Sequence, residues 1–321
     1  MDVLADVMRA ISLRGALYFE VHASDPWISM NPSMKQIGSS MMPDTDHIVP
    51  FHIILEGSIF TKLDDGSSNS VPISAGDVLM LPTGQKHIIT SDQDTWEGSP
   101  ADIEFYKTAA ASSRPFTMMN IGEDGAKANL ICGYLGFDKS PFNPLLDILP
   151  NMLVLKDCLE EDKLMRDLVN AAVVESRENP SNVDTMVTKL SELLFLRAIR
   201  QCMDTLDSEN AQNWLTALKD KQVGQVLELI HDDPTKKWTL NLLSKSVGMS
   251  SSALSERFRR FVGEPPMSYL IKWRMELAGR LLEQGLKVDA VAHEVGYRSE
   301  SAFQRSFKKI MGTPAGQWRR Q

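Results

Sequence analysis

His52 and His87 stand in two short apolar segments, FHIILEG and AGDVLMLPTGQKH. Imidazoles brought together inside a β structure could hold a transition metal, hydrogen-bond as interior residues, or line a pocket for an organic ligand. A second set of chemistry-bearing residues lies near the C-terminus. Arg259-Arg260 and Lys308-Lys309 are basic pairs suited to phosphates, and Gln304 and Arg305 carry the side chains that match adenine and guanine edges. Cys132, Cys158 and Cys202 are odd in number and lack metal-ligand spacing, so buried free thiols are expected and a disulfide framework is not.

Charge is divided unevenly along the 321 residues. From Val223 onward 16 Lys and Arg stand against 10 Asp and Glu, a balance of +6, while residues 1–222 hold 18 against 32, a balance of −14. A polyanionic partner therefore belongs to the C-terminal part, and an acidic chain argues against a nonspecific architectural DNA binder. No apolar run is long enough to span a bilayer. The opening MDVLADVMRAISLRG carries Asp2 and Asp6 where a secretory signal is basic, so an amphipathic helix and a cytoplasmic location are expected.

The elements that must position these residues follow from periodicity. Residues 1–14 read as helix. From Phe19 to about Met119, short Ile-, Leu- and Val-rich runs punctuated by Gly, Pro and Asp read as strands of a sandwich or barrel. From about Leu145 the period changes: LVLKDCLEEDKLMRDLVNAAVVESRE and NVDTMVTKLSELLFLRAIRQCMDTL place apolar residues three and four apart, as helices do. Ser181 with Asp184 resembles a capped start of the second helix, whose broad face of Val183, Met186, Val187, Leu190, Leu193, Leu194 and Ala198 either packs on the β domain or forms a dimer interface. DSENAQN, residues 207–213, reads as a linker.

Near the C-terminus the chain repeats itself. VGMSSSALSERFRRFVGEPP is followed by VGYRSESAFQRSFKKIMGTP, pairing Ala253 with Ala302, Leu254 with Phe303, Phe258 with Phe307, Gly263 with Gly312 and Pro265 with Pro314. Each copy follows a short helical segment and a Gly, Gly248 or Gly296, where a positive φ is expected. Helix, Gly-containing turn and helix is the helix-turn-helix pattern. Ser250 or Ser251, and Ser299, are placed to cap the second helix of each unit. Leu254, Phe258, Phe303 and Phe307 point inward, which leaves Ser255, Glu256, Arg259, Gln304, Arg305 and Lys308 outward. Between the copies, residues 266–284 read as one long helix of roughly 28 Å, close to the ~34 Å repeat of B-DNA. The outward residues of the two copies differ. Glu256 would need a cytosine amino group or a neighbouring Arg257 or Arg260 beside DNA, so the second helix is the better base reader and the first a positioner.

Residues from about Val223 to Arg320, with GYRSESAFQRSFKKIMGTPAGQWR and AGRLL, resemble the DNA-binding domain of the AraC family of bacterial transcription regulators. The resemblance implies sequence-specific binding of double-stranded DNA. The DNA-facing residues expected are Ser251, Ser252, Ser255, Glu256, Arg259 and Arg260 in the first copy. In the second they are Arg298, Ser299, Glu300, Ser301, Gln304, Arg305, Lys308 and Lys309.

The spacing from Gly76 through Pro82 and Gly84 to His87 resembles the second motif of the cupin β-barrels. With PWISM, FHIILEG and ANLICGYLGFDKSPFNPLLDILP, it is similar to the sensing domain of one AraC branch. Cupin enzymes usually hold a metal with a first-motif His pair and Glu. Here either register of that motif puts Pro50 at a ligand position, and proline has no donor atom. No metal and no cofactor are expected. A metal site of His52 and His87 with His47 or Glu56 is the lesser alternative; His52 and His87 are expected to be hydrogen-bonded interior residues or to line a pocket for an unknown small-molecule effector.

The fold expected is a two-domain α+β architecture: an N-terminal cupin-like β-barrel with flanking helices, and a C-terminal all-α domain with two helix-turn-helix motifs joined by a long helix. Expected domains are residues 1–155 for sensing, 156–213 for dimerisation and linker, and 214–321 for DNA binding. The function expected is a homodimeric transcription regulator, not an enzyme, that meets RNA polymerase if it activates and has no membrane partner. A metal-dependent cupin enzyme with a nucleic-acid-binding tail is the alternative.

Overall fold

The computed structural model describes residues 3–10, 13–42, 45, 47–66, 69–98, 108, 116–137, 144–145, 148–178, 183–205 and 213–318. The chain forms two compact units. One contains Leu13–Lys139 and Leu149–Cys202, and the other contains Met1–Ser12, Ser140–Ile148 and Met203–Gln321. This grouping puts the N-terminal helix with the C-terminal helices and residues 149–202 with the strands, whereas the sequence reading divided the chain after 155 and 213. The linker at 207–213, apart from Asn213, and the Ser181 cap lie outside the described residues.

The first unit holds two sheets. In chain order its strands are β1 (Leu13–Ser24), β2 (Ile28–Asn31), β3 (His47–Glu56), β4 (Ser58–Leu63), β5 (Val71–Ser74), β6 (Val78–Met80), β7 (His87–Thr90), β8 (Phe116–Gly122), β9 (Lys127–Phe137) and β10 (Leu153–Leu155). One sheet runs β10-β6-β3-β9-β1-β8 and the other β2-β7-β4-β5. The β1–β8 pair is parallel, and the remaining pairs are antiparallel.

Strand parity sets which side chains meet. In β9, Leu130, Cys132 and Tyr134 share one face, and their register partners include Ile54, His52 and Pro50 of β3 and Val21, Phe19 and Leu17 of β1. The opposite face carries Phe51, Ile53 and Leu135, all fully buried, and Phe137, whose ring lies 5.0 Å from that of Phe195 on a helix. Burial on both faces explains why the centre of β3 reads as a continuous apolar run without alternation.

Three features depart from the sequence reading. The first helix, α1 (Val3–Ala10), stops four residues early, and residues 13–14 already belong to β1. A helix, α2 (Met34–Met41), interrupts the strands. Its start is a capping box of Ser33 and Gln36, a signal present in NPSMKQ. The LVL run given to a helix is instead β10, an edge strand on β6, because three β-branched or Leu residues alone do not fix the period. The helices α3 (Cys158–Glu161), α4 (Lys163–Glu178) and α5 (Val183–Thr205) follow. On α5, Leu190, Leu194 and Ala198 are buried within the unit, and Leu193 is exposed.

Asp77 ties this helical segment to the sheets. Its carboxylate accepts from Lys156 Nζ at 2.7 Å and from the amides of Ser74 and Asp157 at 2.9 and 2.8 Å. Burial pushes the carboxyl up, but these hydrogen bonds outweigh it and hold Asp77 below the usual carboxylate range.

The second unit is helical: α1 packs with α6 (Trp214–Lys219), α7 (Lys221–Asp232), α8 (Leu240–Ser246), α9 (Ser251–Val262), α10 (Pro266–Glu283), α11 (Val288–Glu294) and α12 (Glu300–Met311). The long helix expected over 266–284 is α10, with Pro at its first turn and Gln284 as its C-cap. Its N-terminal half gives Tyr269 to the first helix-turn-helix, against Phe258, and Trp273 to His231 of α7. Its C-terminal half gives Met275 and Ala278 to a core with Val291, Phe303 and Phe307. Tyr269 Oη is a junction: it accepts from Trp214 Nε1 at 3.3 Å and bonds His231 Nε2 at 2.9 Å. His231 Nδ1 lies 3.5 Å from Asp6 of α1. No helix among the described residues is long and apolar enough to cross a membrane.

Candidate nucleic-acid interface and interior histidine site

The two copies of the repeat fold alike, and each local choice has a cause. Helices α9 and α12 each have twelve residues. Ser250 and Ser299 accept from the amides of Ala253 and Ala302 at 3.2 and 3.3 Å, a contribution of about 1 kcal/mol each. Gly263 and Gly312 end the helices in the left-handed region. The turn glycines Gly248 and Gly296 have φ of 67° and 80°. A Cβ on Gly296 would also meet Thr235 O at 2.6 Å, so only glycine fits there. The extra residue in the second turn is accommodated between Gly296 and Ser299, where it presents an exposed Arg298.

With Leu254, Phe258, Phe303 and Phe307 fully buried, the outer faces are set. Ser252, Glu256, Arg259 and Arg260 are exposed on α9, and Glu300, Ser301, Arg305, Lys308 and Lys309 on α12, with Ser299 exposed at its cap. Ser255 and Gln304 are half-buried. Gln304 Nε2 donates to Glu300 Oε1 at 3.0 Å along the same helix face. Ser251 is committed elsewhere: its hydroxyl and that of Ser244 are 3.1 Å apart, joining α8 to α9.

Arg257 corrects the expectation that it would neutralise Glu256. Its guanidinium forms a two-point pair with Asp220, Nη2 to Oδ2 at 2.5 Å and Nε to both oxygens at 3.2 Å. Asp220 is also the N-cap of α7, accepting from Gln222 and Val223. Burial raises the Asp220 carboxyl, but the Arg257 hydrogen bond leads the opposing effects and holds it below the usual range. The pair locks α9 to α7, so Arg257 is a structural residue and Arg260 is the remaining candidate neighbour of Glu256. Nothing in the sequence marked this pairing, because the partners are 37 residues apart.

In the other unit, His52 of β3 and His87 of β7 come from different sheets and meet in the interior, Nε2 to Nε2 at 2.9 Å. His52 Nδ1 lies 2.9 Å from Cys132 Sγ, its cross-strand neighbour on β9. His87 Nδ1 lies 3.1 Å from the carbonyl of Gln85. That carbonyl only accepts, so it fixes the direction of the chain of neutral groups. His87 Nδ1–H donates to Gln85, His52 Nε2–H donates to His87, and the Cys132 thiol donates to His52. Burial pushes His52 well below its ordinary value, with the neighbouring His87 adding to the effect. Burial pushes His87 down to about 4 and Cys132 up to about 12, so all three are uncharged near neutrality.

The residues do not fit a cupin metal centre. Both imidazoles are committed to one another and to Cys132 or Gln85. Pro50 occupies the position two residues before His52 on the same strand face. Glu56 is exposed and accepts from Asn129 Nδ2 at 2.5 Å, while His47 Nε2 bonds Pro82 O at 2.7 Å.

His52 and Cys132 instead open on a cavity of about 90 Å³. Space for one water takes ~10–15 Å³ on this measure, so a small organic molecule fits. Its wall is mainly apolar, with Phe19, Trp27, Ile89, Leu130 and Tyr134, and Asn31 and Ser29 supply polar groups. Of the two histidines expected to line a pocket, His52 belongs to this wall and His87 stands behind it; sequence reasoning missed Cys132, whose strand parity relative to His52 depends on a register set across 80 residues.

A β unit with an interior pocket, joined in one chain to two exposed basic helix-turn-helix elements, defines a DNA-binding regulator. The family model described as Cupin matches residues 2–204, and that described as Helix-turn-helix domain matches residues 243–321. The chain belongs to the AraC family of transcription regulators, in the group with an N-terminal cupin domain. It is 26% identical to an AraC-like transcription regulator of Streptomyces lividans over 323 residues, covering 100% of this chain and 98% of that protein. It is 27% identical to the HTH-type transcriptional regulator AlkR of Acinetobacter baylyi (strain ATCC 33305 / BD413 / ADP1) over 314 residues, covering 96% of each. Among solved structures, unsaturated-fatty-acid-bound ToxT of Vibrio cholerae strain SCE256 aligns over 94% of each chain, at 12% identity and a TM-score of 0.31. The relatives are regulators, and the enzyme alternative has no support among them.

Proposed function

We propose that this regulator is controlled by a small molecule bound in the cavity of the cupin domain and reads its operator mainly through α12. The observation that carries the reading is the presence in one chain of a largely apolar pocket and two capped helices whose outer faces are basic and exposed. Arg305 and Gln304 contact base edges, and Gln304 exchanges its Glu300 partner for a base. Arg259, Arg260, Lys308 and Lys309 meet phosphates, and Arg298 extends the same face from the turn. Serines 252, 255 and 301 with Glu256 and Glu300 border the groove. Ser251 and Ser299 act through helix placement and capping. The functional form is a homodimer, with the exposed Leu193 of α5 at its contact, and an activating complex also touches RNA polymerase.

Control requires that the ligand favour one of two states differing in DNA affinity. The test is genome-wide footprinting to obtain operators, followed by titration of one operator with a metabolite panel present. Discrete bound sites and a ligand that changes operator affinity are expected. Footprints without sequence preference, or operator affinity indifferent to every ligand, would overturn the reading.

A further inference from the structure

The chain of Cys132, His52 and His87 lines up a thiol, a base within hydrogen-bond reach of it, and a second group that orients the base. Its direction is fixed by Gln85 O, and its free end is the one that faces the cavity. Cys132 is partly accessible although it sits deep in the fold, whereas Cys158 and Cys202 are buried and form no part of the described wall. The surrounding Phe19, Trp27, Leu130 and Tyr134 favour an apolar guest over a hydrophilic one.

We propose that Cys132 is a covalent capture site for small apolar α,β-unsaturated carbonyl compounds, with His52 as its general base and His87 as the group that orients and supports His52. The proposal rests on the reading of this cavity as the effector site and names the effector's chemical class. In the step, the thiol proton passes to His52 Nδ1 as sulfur bonds the β-carbon. The C=C π pair moves into the conjugated enolate, and His52 returns the proton to the α-carbon. The sum is addition of S–H across C=C, which needs no oxidant, reductant or leaving group. While the proton is on His52, its Nε2–H stays donated to His87, which disperses the charge inside the apolar unit. Because the resting thiol keeps its proton, a reagent that does not dwell beside His52 reacts slowly.

The experiment treats the full chain with 2-cyclohexenone and follows intact mass and peptide maps. One adduct is expected, on Cys132, formed before any on Cys158 or Cys202, with saturated cyclohexanone in excess slowing it. His52→Gln is expected to slow capture on the order of 100-fold, the scale of general base catalysis, with its thermal transition showing that it folds. His87→Gln gives a smaller slowing and serves if His52→Gln does not fold. Adducts on Cys158 or Cys202 first, no adduct on Cys132, or a rate unchanged in a folded histidine variant would overturn the proposal. Operator affinity separates it from the reading beneath it. A Cys132 adduct without effect on operator binding keeps the capture site and removes its regulatory role. Control by cyclohexanone, with the enone forming no adduct, keeps the effector pocket and removes the capture site.

Discussion

Arg257 and Arg259 are two residues apart on one helix, the first paired with Asp220 inside the fold and the second exposed. Arg257→Ala removes the two-point pair with Asp220, whose carboxylate is 8% exposed while the guanidinium is 36% exposed. Fully exposed pairs contribute ~0.2–1 kcal/mol, and breaking a buried one costs ~3–5 kcal/mol. Asp220 keeps its two amide donors at Gln222 and Val223, so its charge is not left bare and the cost lies between those limits, about 2 kcal/mol. At about 4 °C per kcal/mol for a unit of this size, the melting transition of the helical unit falls by about 8 °C. The assay pairs thermal unfolding with DNA affinity over a salt series. Arg257→Ala leaves the slope of log affinity against log salt unchanged, while Arg259→Ala leaves stability unchanged and reduces the slope by about 0.9, one phosphate contact. A reduced slope with unaltered stability for Arg257→Ala would refute the division of labour.

The buried histidines make the strand unit sensitive to acid. His87 has a folded value of about 4 against an ordinary value of 6.5, so the unfolded chain binds more protons between those limits and stability falls as pH falls. His87 alone contributes a loss of about 2 kcal/mol between pH 7 and 5, and His52 acts in the same direction. Urea midpoints across that range check it, and a flat profile contradicts it. Tyr269→Phe leaves the buried Trp214 Nε1 and His231 Nε2 without the hydroxyl they share and costs about 2 kcal/mol, read by the same unfolding assay. Lys308→Ala weakens binding to all DNA sequences alike and lowers the salt slope by about 0.9, read by affinity for operator and scrambled duplexes.

The DNA-binding unit was legible because its positions are fixed locally. A positive φ demands Gly248 and Gly296, orphan amides demand Ser250 and Ser299, and the helical period demands Leu254, Phe258, Phe303 and Phe307, so repetition exposes all of them at once. The same locality explains the α10 boundaries, marked by Pro266 and by Gly285 just beyond the end. What escaped depends on distant partners. Arg257 reads as one more outward cation until Asp220 is placed beside it, and Cys132 reads as a small core residue until β9 is set in register with β3. The LVL strand shows the converse limit: three residues carry too little periodicity, and their pairing with β6 decides the outcome. α2 was missed despite a local signal, the Ser33–Gln36 box, and α6 and α7 despite the Asn213–Thr216 box and the Asp220 cap at their starts.

The central claim is that α12 reads bases through Arg305. Selection of preferred sites from random duplex DNA, performed with the wild-type chain and with Arg305→Ala, tests it most directly. The wild type should select a site of two parts about one helical turn apart, ~10 base pairs. Arg305→Ala should lose preference for guanine at one position in one part, a discrimination of ~1–3 kcal/mol, while the other part keeps its sequence. No selected sequence for the wild type, or the same preference for both proteins, would contradict the account.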